Sequence, residues 1–443
     1  MKLKNHPTVK AYYNSKKADP TPSLLEASWI KKTVLESGAD DLGIIDLKRE
    51  AVSKGLQDLR DVMPDMQSII VMAFAVNQCS IRSMAQSVTD NEFKQIWTLA
   101  GHAGRTIAKK FRDKHINAVN MPMGFHQETG RWPGKMWLTE DKVLAAEAGL
   151  GHMGYNRLVI HPKLGASIIL GTILISAPCD VYDQPLDFNP CIECGLCVKV
   201  CPTGAVKATD SFDMLSCLTH NYRERLGGFQ NWVEQIVESK TVSDYRSRVS
   251  DQESVSMWQH LAIGAQNKCD RCMAVCPAGE IAVGEFLEDR KSFIKSQVNR
   301  FRDLEETIYA IKGSAAEKHV RAKFPNKKVK HVSNGIRPVS ASRFLGSLPL
   351  AFSAHNSKGL NAVYHFIFTG GENLEGTVVI ENQSIRVHEG LQGTPDLKIT
   401  ADSTTWIKFL TKDVGLLKAL ITGKLKIKGP IKLMKQFAAC FPS

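Results

Sequence analysis

Eight of the eleven cysteines lie between Cys191 and Cys276, at intervals that suit metal rather than disulfides. Cys191, Cys194, Cys197 and Cys201, followed by Pro202, form the run C-x2-C-x2-C-x3-C-P. Three thiolates at such short steps can take three corners of one 4Fe-4S cubane, while the fourth begins a helix and reaches a second cubane. Cys269, Cys272 and Cys276 again end in Cys-Pro, and Cys217 lies between the two groups. The crossing pattern assigns Cys191, Cys194, Cys197 and Cys276 to one cluster, and Cys201, Cys217, Cys269 and Cys272 to the other. Eight ligands then close two clusters with none left over. Zinc is the competing reading, since it also favours four-cysteine sites. Its sites usually pair two C-x2-C knuckles, and the three-step run with Cys-Pro points instead to iron–sulfur. Cys79, Cys179 and Cys440 stand outside the set and read as small buried hydrophobes. Two such clusters form a short wire for single electrons.

The segment GLGHMG, with Gly149, Gly151 and Gly154, matches G-x-G-x-x-G. A dinucleotide site needs that motif after a strand and at the start of a helix. Here it follows the helical TEDKVLAAEA and precedes the strand-like RLVI, so NAD and FAD are rejected at this place. Its glycines permit a tight turn or the close approach of a large flat ligand.

The elements that position these groups are read from periodicity. Residues 1–25 form a loosely ordered lead-in, and 26–185 alternate helix with strand. SWIKKTVLESGA and HAGRTIAKKFRDK are helical, SIIVMAFAV, INAVNM and SIILGTILI are strands, and TEDKVLAAEAG is a helix capped by Thr139 and ended by Gly149. This is an α/β domain, a sheet covered by helices. The cysteine-rich module spans 186–285. Residues 286–338 read as a charged helix, FLEDRKSFIKSQVNRFRDLEETIYAI, and a basic linker. Residues 339–443 form a separate α+β domain with alternating strands and two closing amphipathic helices.

The chain has 443 residues and a formal charge of +12, which favours acidic partners. Its basic residues are dispersed apart from Lys323, Lys327, Lys328, Lys330 and His331, and that run reads as a solvated linker rather than a nucleic-acid patch. No stretch approaches the roughly 20 apolar residues of a membrane span. The first twenty residues lack the apolar core of a secretory signal. Clustered thiols and no leader place the chain in a reducing cytoplasm.

The stretch AGLGHMGYNRLVIHPKLGASIILGTILI, then CIECGLCVKVCPTGAV, Cys217 in SCLTH and CDRCMAVCP, resembles the cobalamin-dependent reductases, a superfamily that includes epoxyqueuosine reductases and reductive dehalogenases. The resemblance covers about residues 26–290 and is most specific over 148–276. It implies a reductase-like α/β domain with an embedded bacterial two-cluster ferredoxin module, and a cobalamin fed through the clusters. It implies corrinoid contacts at Gly151, Gly154, Asn156 and His161; the residues alone read equally well as turn glycines and surface polar groups. The low-potential electron donor would be a ferredoxin or flavodoxin. Epoxyqueuosine reductases carry a proton-donating aspartate thirteen residues before the alanine of the AGLG turn, and counting back from Ala148 gives Lys135. A lysine can donate a proton where burial lowers its pKa. His126, Trp132 and Trp137 lie in the same stretch and could line a pocket. The helical tail that holds tRNA in those enzymes has no counterpart here, which argues against a tRNA partner.

From about Ser340, FLGSLPLAFSAHNSKGLNAVYHFIFTGGENLEGTVVIENQSIRVHEG and the closing DLKITADSTTWIKFLTKDVGLLKALITGKLKIKGPIKLMKQF resemble the sterol-carrier-protein domain. Val378, Ile380, Ile385 and Val387 supply the apolar face of a hairpin. Leu416, Leu417, Leu420, Leu433, Met434 and Phe437 supply stripes on the last helices. The resemblance implies a tunnel for a lipid or acyl ligand; the same stripes could fill a dry core. Two functions lead: a cobalamin-dependent reductase of an unidentified substrate, which the tail could present if it is apolar, and a cobalamin-free electron carrier with an appended lipid-binding domain. In a third, the clusters of a lipid-binding protein are structural or sense redox state.

Overall fold

The run Ser68–Ala75, SIIVMAFA, is β-branched and apolar on both alternating faces, so it suits a strand covered on both sides. In the computed structural model it is the second strand of the first sheet. The structure describes residues 3–18, 23–53, 55–124, 139–209, 211–264, 267–333, 338–411 and 413–442. They divide into two units: Met1–His126, Trp137–Cys197 and Arg271–Val298 form one, and Val198–Asp270 with Asn299–Ser443 form the other. The division runs through the cysteine-rich stretch.

The first unit holds β1 (Asp41–Asp46), β2 (Ser68–Ala75), β3 (Ala118–Asn120), β4 (His152–Met153), β5 (Val159–Ile160) and β6 (Ile168–Ile175). Four of these make a sheet in the order β1-β2-β6-β3, with every pair antiparallel. Ile45, Ile69, Val71 and Ala73 pack on one side with Leu144 and Ala145 of the helix Asp141–Glu147. Ile30, Val34, Ile107 and Phe111, from the helices Ala27–Leu35 and Gln86–Asp113, are fully buried as well. Strands β4 and β5 pair as a small hairpin that carries the GLGHMG turn.

Two local expectations change here. The lead-in contains a helix, Pro7–Ala18, that lies largely exposed. Thr139 is not the cap of Asp141–Glu147: Glu140 holds that position, and the Thr139 side chain bonds to Asp141 instead. Gly149, at φ 75°, does end that helix.

In the second unit the charged helical stretch stops at Asp303, and ETIYAI is a strand rather than a helix end. There β7 (Thr307–Ala310) pairs in parallel with β8 (Lys328–His331) across the helix Ala315–Lys323. Ile308, Val320 and Phe324 give this βαβ unit its own small core. The basic run at residues 323–331 is therefore structured. Lys327 has a fully buried side chain whose Nζ meets Glu306 Oε1 at 2.7 Å and the carbonyls of Leu304 and Phe301 at 2.6 and 3.0 Å. Lys330 pairs with Glu253.

The last five strands, β9 (Ala362–Thr369), β10 (Leu374–Glu381), β11 (Ser384–Glu389), β12 (Leu397–Asp402) and β13 (Leu425–Lys428), form a sheet ordered β11-β10-β9-β12-β13. Only β9 and β12 pair in parallel. Asn382 and Gln383, both at positive φ, make the two-residue turn that fits the twist of a hairpin. Phe344, Tyr364, Phe366, Phe368, Trp406 and Phe437 pack together in the core. Val378, Ile380 and Val387 are buried, but Leu417 is 74% exposed and does not join the predicted stripe. Among the described residues, no helix is long and apolar enough to cross a membrane.

Candidate metal centre

The first cysteine loop is a turn built on two left-handed residues, Glu193 (φ 51°) and Gly195 (φ 69°). Glycine adopts that conformation freely, whereas glutamate does so at a steric cost. Asn189 Oδ1 accepts the Cys191 amide at 2.9 Å. The helix Leu196–Val200 follows and buries both its terminal side chains. Cys276, far along the chain, comes to the same place. Its thiol is pushed up to about 12, first by burial and then by the neighbouring Cys194 and Cys191 thiols, while the Ala278 and Ala166 amides pull the other way. Burial also raises Cys194, against the Leu196 amide. Clustered thiolates that are costly alone become favourable once a cation binds them, so this donor set fits an iron–sulfur group. None of the eleven cysteines is in a disulfide.

What aims Cys276 is a backbone contact. A Cβ on Gly165 (φ 67°) would lie 1.9 Å from the Ala278 carbonyl oxygen, and one on Gly279 (φ 99°) 2.3 Å from the Gly165 nitrogen. The Glu280 and Ile281 amides donate to the Pro162 and Lys163 carbonyls at 3.0 and 3.2 Å. His161 shapes this loop. Its Nδ1 accepts from the Lys163 and Leu164 amides, and its Nε2 lies 2.9 Å from Asp41 Oδ2. Burial alone would raise the Asp41 carboxyl, yet its bonds to His161 and the Leu42 amide bring it below the usual range. On the other side, Gln78 reaches the Cys276 carbonyl at 3.5 Å, and Arg82 holds the Ala274 carbonyl at 3.1 Å while pairing with Glu285.

The other cysteines are positioned by caps and loops. Asp213 caps the helix Met214–Asn221, accepting from the Ser216 amide and hydroxyl, and thereby presents Cys217. At the far end, Asn221 Oδ1 accepts the Cys269 amide at 2.8 Å, and its carbonyl takes the Lys268 amide. Buried Glu224 holds the Lys268 ammonium at 2.7 Å. Cys201 Sγ lies 3.6 Å from Thr203 Oγ1. Cys201, Cys217 and Cys269 belong to the second unit, and Cys272 to the first. Among the described residues, no three His, Cys, Asp or Glu side chains close to the spacing of a single-ion site.

Of the four residues nominated for corrinoid contact, the two glycines are closely packed and the other two have hydrogen-bonded side chains. A Cβ on Gly151 would meet the Ile160 carbonyl oxygen at 2.3 Å, and one on Gly154 would meet Ile160 Cγ1 at 2.8 Å. Buried Asn156 accepts from the Leu158 amide and donates to the Cys272 carbonyl at 3.3 Å. His161 is held by Asp41 and by the backbone of its own loop, and Asn156 by the segment that carries Cys272. Lys135, His126, Trp132 and Trp137 lie outside the described residues. Cys179 and Cys440 are buried as expected, but Cys79 is exposed, its amide bonded to Asn77 at the start of a short helix. Gln78, Arg82, Asn221 and Glu224 carried no signal in the sequence, because their partners lie on other segments.

The 4Fe-4S binding domain family matches residues 185–207, and the SCP-2 sterol transfer family matches 352–442. An epoxyqueuosine reductase of Staphylococcus aureus is 39% identical over 79 residues, which are 18% of this chain and 20% of that protein. One from Pseudomonas aeruginosa is 25% identical over 169 residues, 38% of each chain. The chain thus spans well under half the length of these relatives. Among solved structures, a catabolic reductive dehalogenase aligns at TM-score 0.37 and 16% identity, covering 60% of this chain and 35% of its own. An epoxyqueuosine reductase holding an epoxyqueuosine-modified tRNA-Tyr stem loop aligns at TM-score 0.30 and 15% identity, covering 45% and 60%. Scores this low do not decide the fold. Nothing in these comparisons supports the expectation that tRNA is not a partner. The chain thus combines a region similar to epoxyqueuosine reductases with a segment that matches the 4Fe-4S binding domain family and a later one that matches the SCP-2 sterol transfer family.

Proposed function

We propose that the chain is a reductase whose eight clustered cysteines hold two 4Fe-4S clusters, Cys191, Cys194, Cys197 and Cys276 binding one and Cys201, Cys217, Cys269 and Cys272 the other. The observation that carries this is the arrival of Cys276 beside Cys194 and Cys191.

The chain's own residues then do three things. The Ala278, Ala166 and Leu196 amides donate to the cluster thiolates, which favours their charged form. The Gly165–Gly279 contact and the Asn156–Cys272 bond hold the ligand loops. Leu196, Val200 and Val275 exclude water around them. A cobalamin, implied by the resemblance, would supply a cobalt centre that accepts electrons and reduces the substrate. Gly151, Gly154, Asn156 and His161 can offer it backbone only, so no step is assigned through it. Lys135 is the proposed proton donor, and a ferredoxin or flavodoxin the proposed electron source. The absence of an aspartate at position 135 favours the second reading, a cobalamin-free electron carrier. The C-terminal domain is proposed to bind a lipid or acyl chain, following the family it matches.

Anaerobic reconstitution with iron, sulfide and hydroxocobalamin, followed by desalting, metal analysis and EPR, tests the scheme. About eight irons per chain with retained cobalt supports the reductase. Full iron without cobalt leaves the carrier. Zinc, or far fewer irons, overturns both.

A further inference from the structure

We infer that the βαβ unit at residues 307–331 is the scaffold of the second cluster, with His319 as its positioning residue. The inference rests on the proposed ligand set that includes Cys201, Cys217 and Cys269. Two ligand-bearing segments, and a helix that precedes a third, lean on this one small unit.

The first segment is the turn after Cys201. Gly204 stands at φ 64°, and the place where its Cβ would be is filled by the His319 ring, whose Cγ would lie only 2.6 Å away. The same ring bonds to the Cys201 backbone carbonyl. The second is the Cys217 helix: the Tyr309 amide donates to Nδ1 of His220, three residues beyond Cys217, and the two rings stack at 6.2 Å. Arg223, just after that helix, lies over the Tyr309 ring at 5.2 Å. The third is the helix Asp251–Ile263, which leads towards Cys269. Its Glu253 is held by both strands, through the Tyr309 hydroxyl and the Lys330 ammonium, and Lys330 also takes the Arg248 carbonyl at 2.7 Å.

The physical consequence falls on the cluster's potential. Reduction adds negative charge to the cluster, and a dry site opposes that charge more than a wet one. The His319 ring closes the Cys201–Gly204 turn. Removing it opens a space the size of an imidazole beside a ligand, and water entering that space eases reduction. Loss of the hydrogen bond acts the other way, but it falls on a carbonyl rather than on a sulfur, so solvent entry dominates. The potential should rise.

The test uses the full chain reconstituted with two clusters, and compares the parent with His319→Ala and His319→Gln. Iron content is measured first, then both midpoint potentials by EPR-monitored titration. The expected result is a positive shift of one midpoint in His319→Ala, the other unchanged, with His319→Gln closer to the parent. Loss of about half the iron in His319→Ala alone, the other half retained, also supports the role, since the ligand turn then fails to close. Unchanged midpoints with full iron, equal shifts of both, or loss of all iron in both variants overturns it. A parent chain that never holds about eight irons overturns the ligand assignment itself, whatever the variants do.

Discussion

Gly165→Ala offers a direct check on how Cys276 is aimed. The added Cβ would sit 1.9 Å from the Ala278 carbonyl oxygen, about 1.5 Å inside the 3.4 Å at which ordinary contact begins. Backbone lies on both sides, so no side-chain rotation relieves the clash. The left-handed φ of 67° adds about 1–2 kcal/mol for any L side chain. Forcing one extra carbon into a packed site adds about 1–3 kcal/mol. The total of about 2–5 kcal/mol is concentrated on the segment that donates the Ala278 amide to Cys276. At its lower end this shifts a local equilibrium roughly thirty-fold. The expected result is a chain that folds but reconstitutes with about half the parent's iron, losing the cluster that uses Cys276 and keeping the other. Iron and sulfide analysis with low-temperature EPR reads this directly. A Gly165→Ala chain with the full iron count, an unchanged EPR spectrum and parental thermal stability would refute the reasoning, because the close approach would then not be needed to place the thiol.

Lys327→Met should cost about 3–5 kcal/mol, because it leaves Glu306 and two carbonyls without their buried cation, and it should appear as a lowered denaturation midpoint. Glu317 is held down to about 2 by the Gly313 amide, His331 and Arg321. A depressed carboxyl stabilises the fold above its ordinary value of 4.5 and loses that contribution as pH falls towards 2, so Glu317→Gln should flatten the acid limb of a stability–pH profile over that window. A parental slope there would discount the network. In the anaerobic holoprotein, brief alkylation followed by mass spectrometry should label Cys79 ahead of every other cysteine, because Cys179 and Cys440 are buried and the remaining eight are ligands. Rapid labelling of Cys191 or Cys194 would contradict the ligand assignment.

The 4Fe-4S binding segment over residues 185–207 was legible in the sequence because its signature is a local spacing of cysteines. The buried strands and the Asn382–Gln383 hairpin were legible for the same reason, being short-range patterns of side-chain polarity and turn geometry. Other features depended on long-range packing. The antiparallel pairing throughout the first sheet is invisible to periodicity, which reports which faces are buried and not which way a neighbour runs. ETIYAI looked like the end of a helix until β8 supplied its hydrogen-bond partner. Lys327 looked solvated because sequence records its charge and not the carbonyls of Leu304 and Phe301 that close over it.

Sequence by itself determined the cysteine spacing that suits iron–sulfur binding and the hydrophobic pattern of an α+β domain over residues 339–443. Tertiary structure alone decided the partners of His161, Asn156 and His319: Asp41 and its own loop for the first, and the backbone of Cys272 and of Cys201 for the other two. The reason is geometric: a histidine's role is set by the atoms within about 3 Å of its two nitrogens. For His161 those atoms include an aspartate 120 residues away.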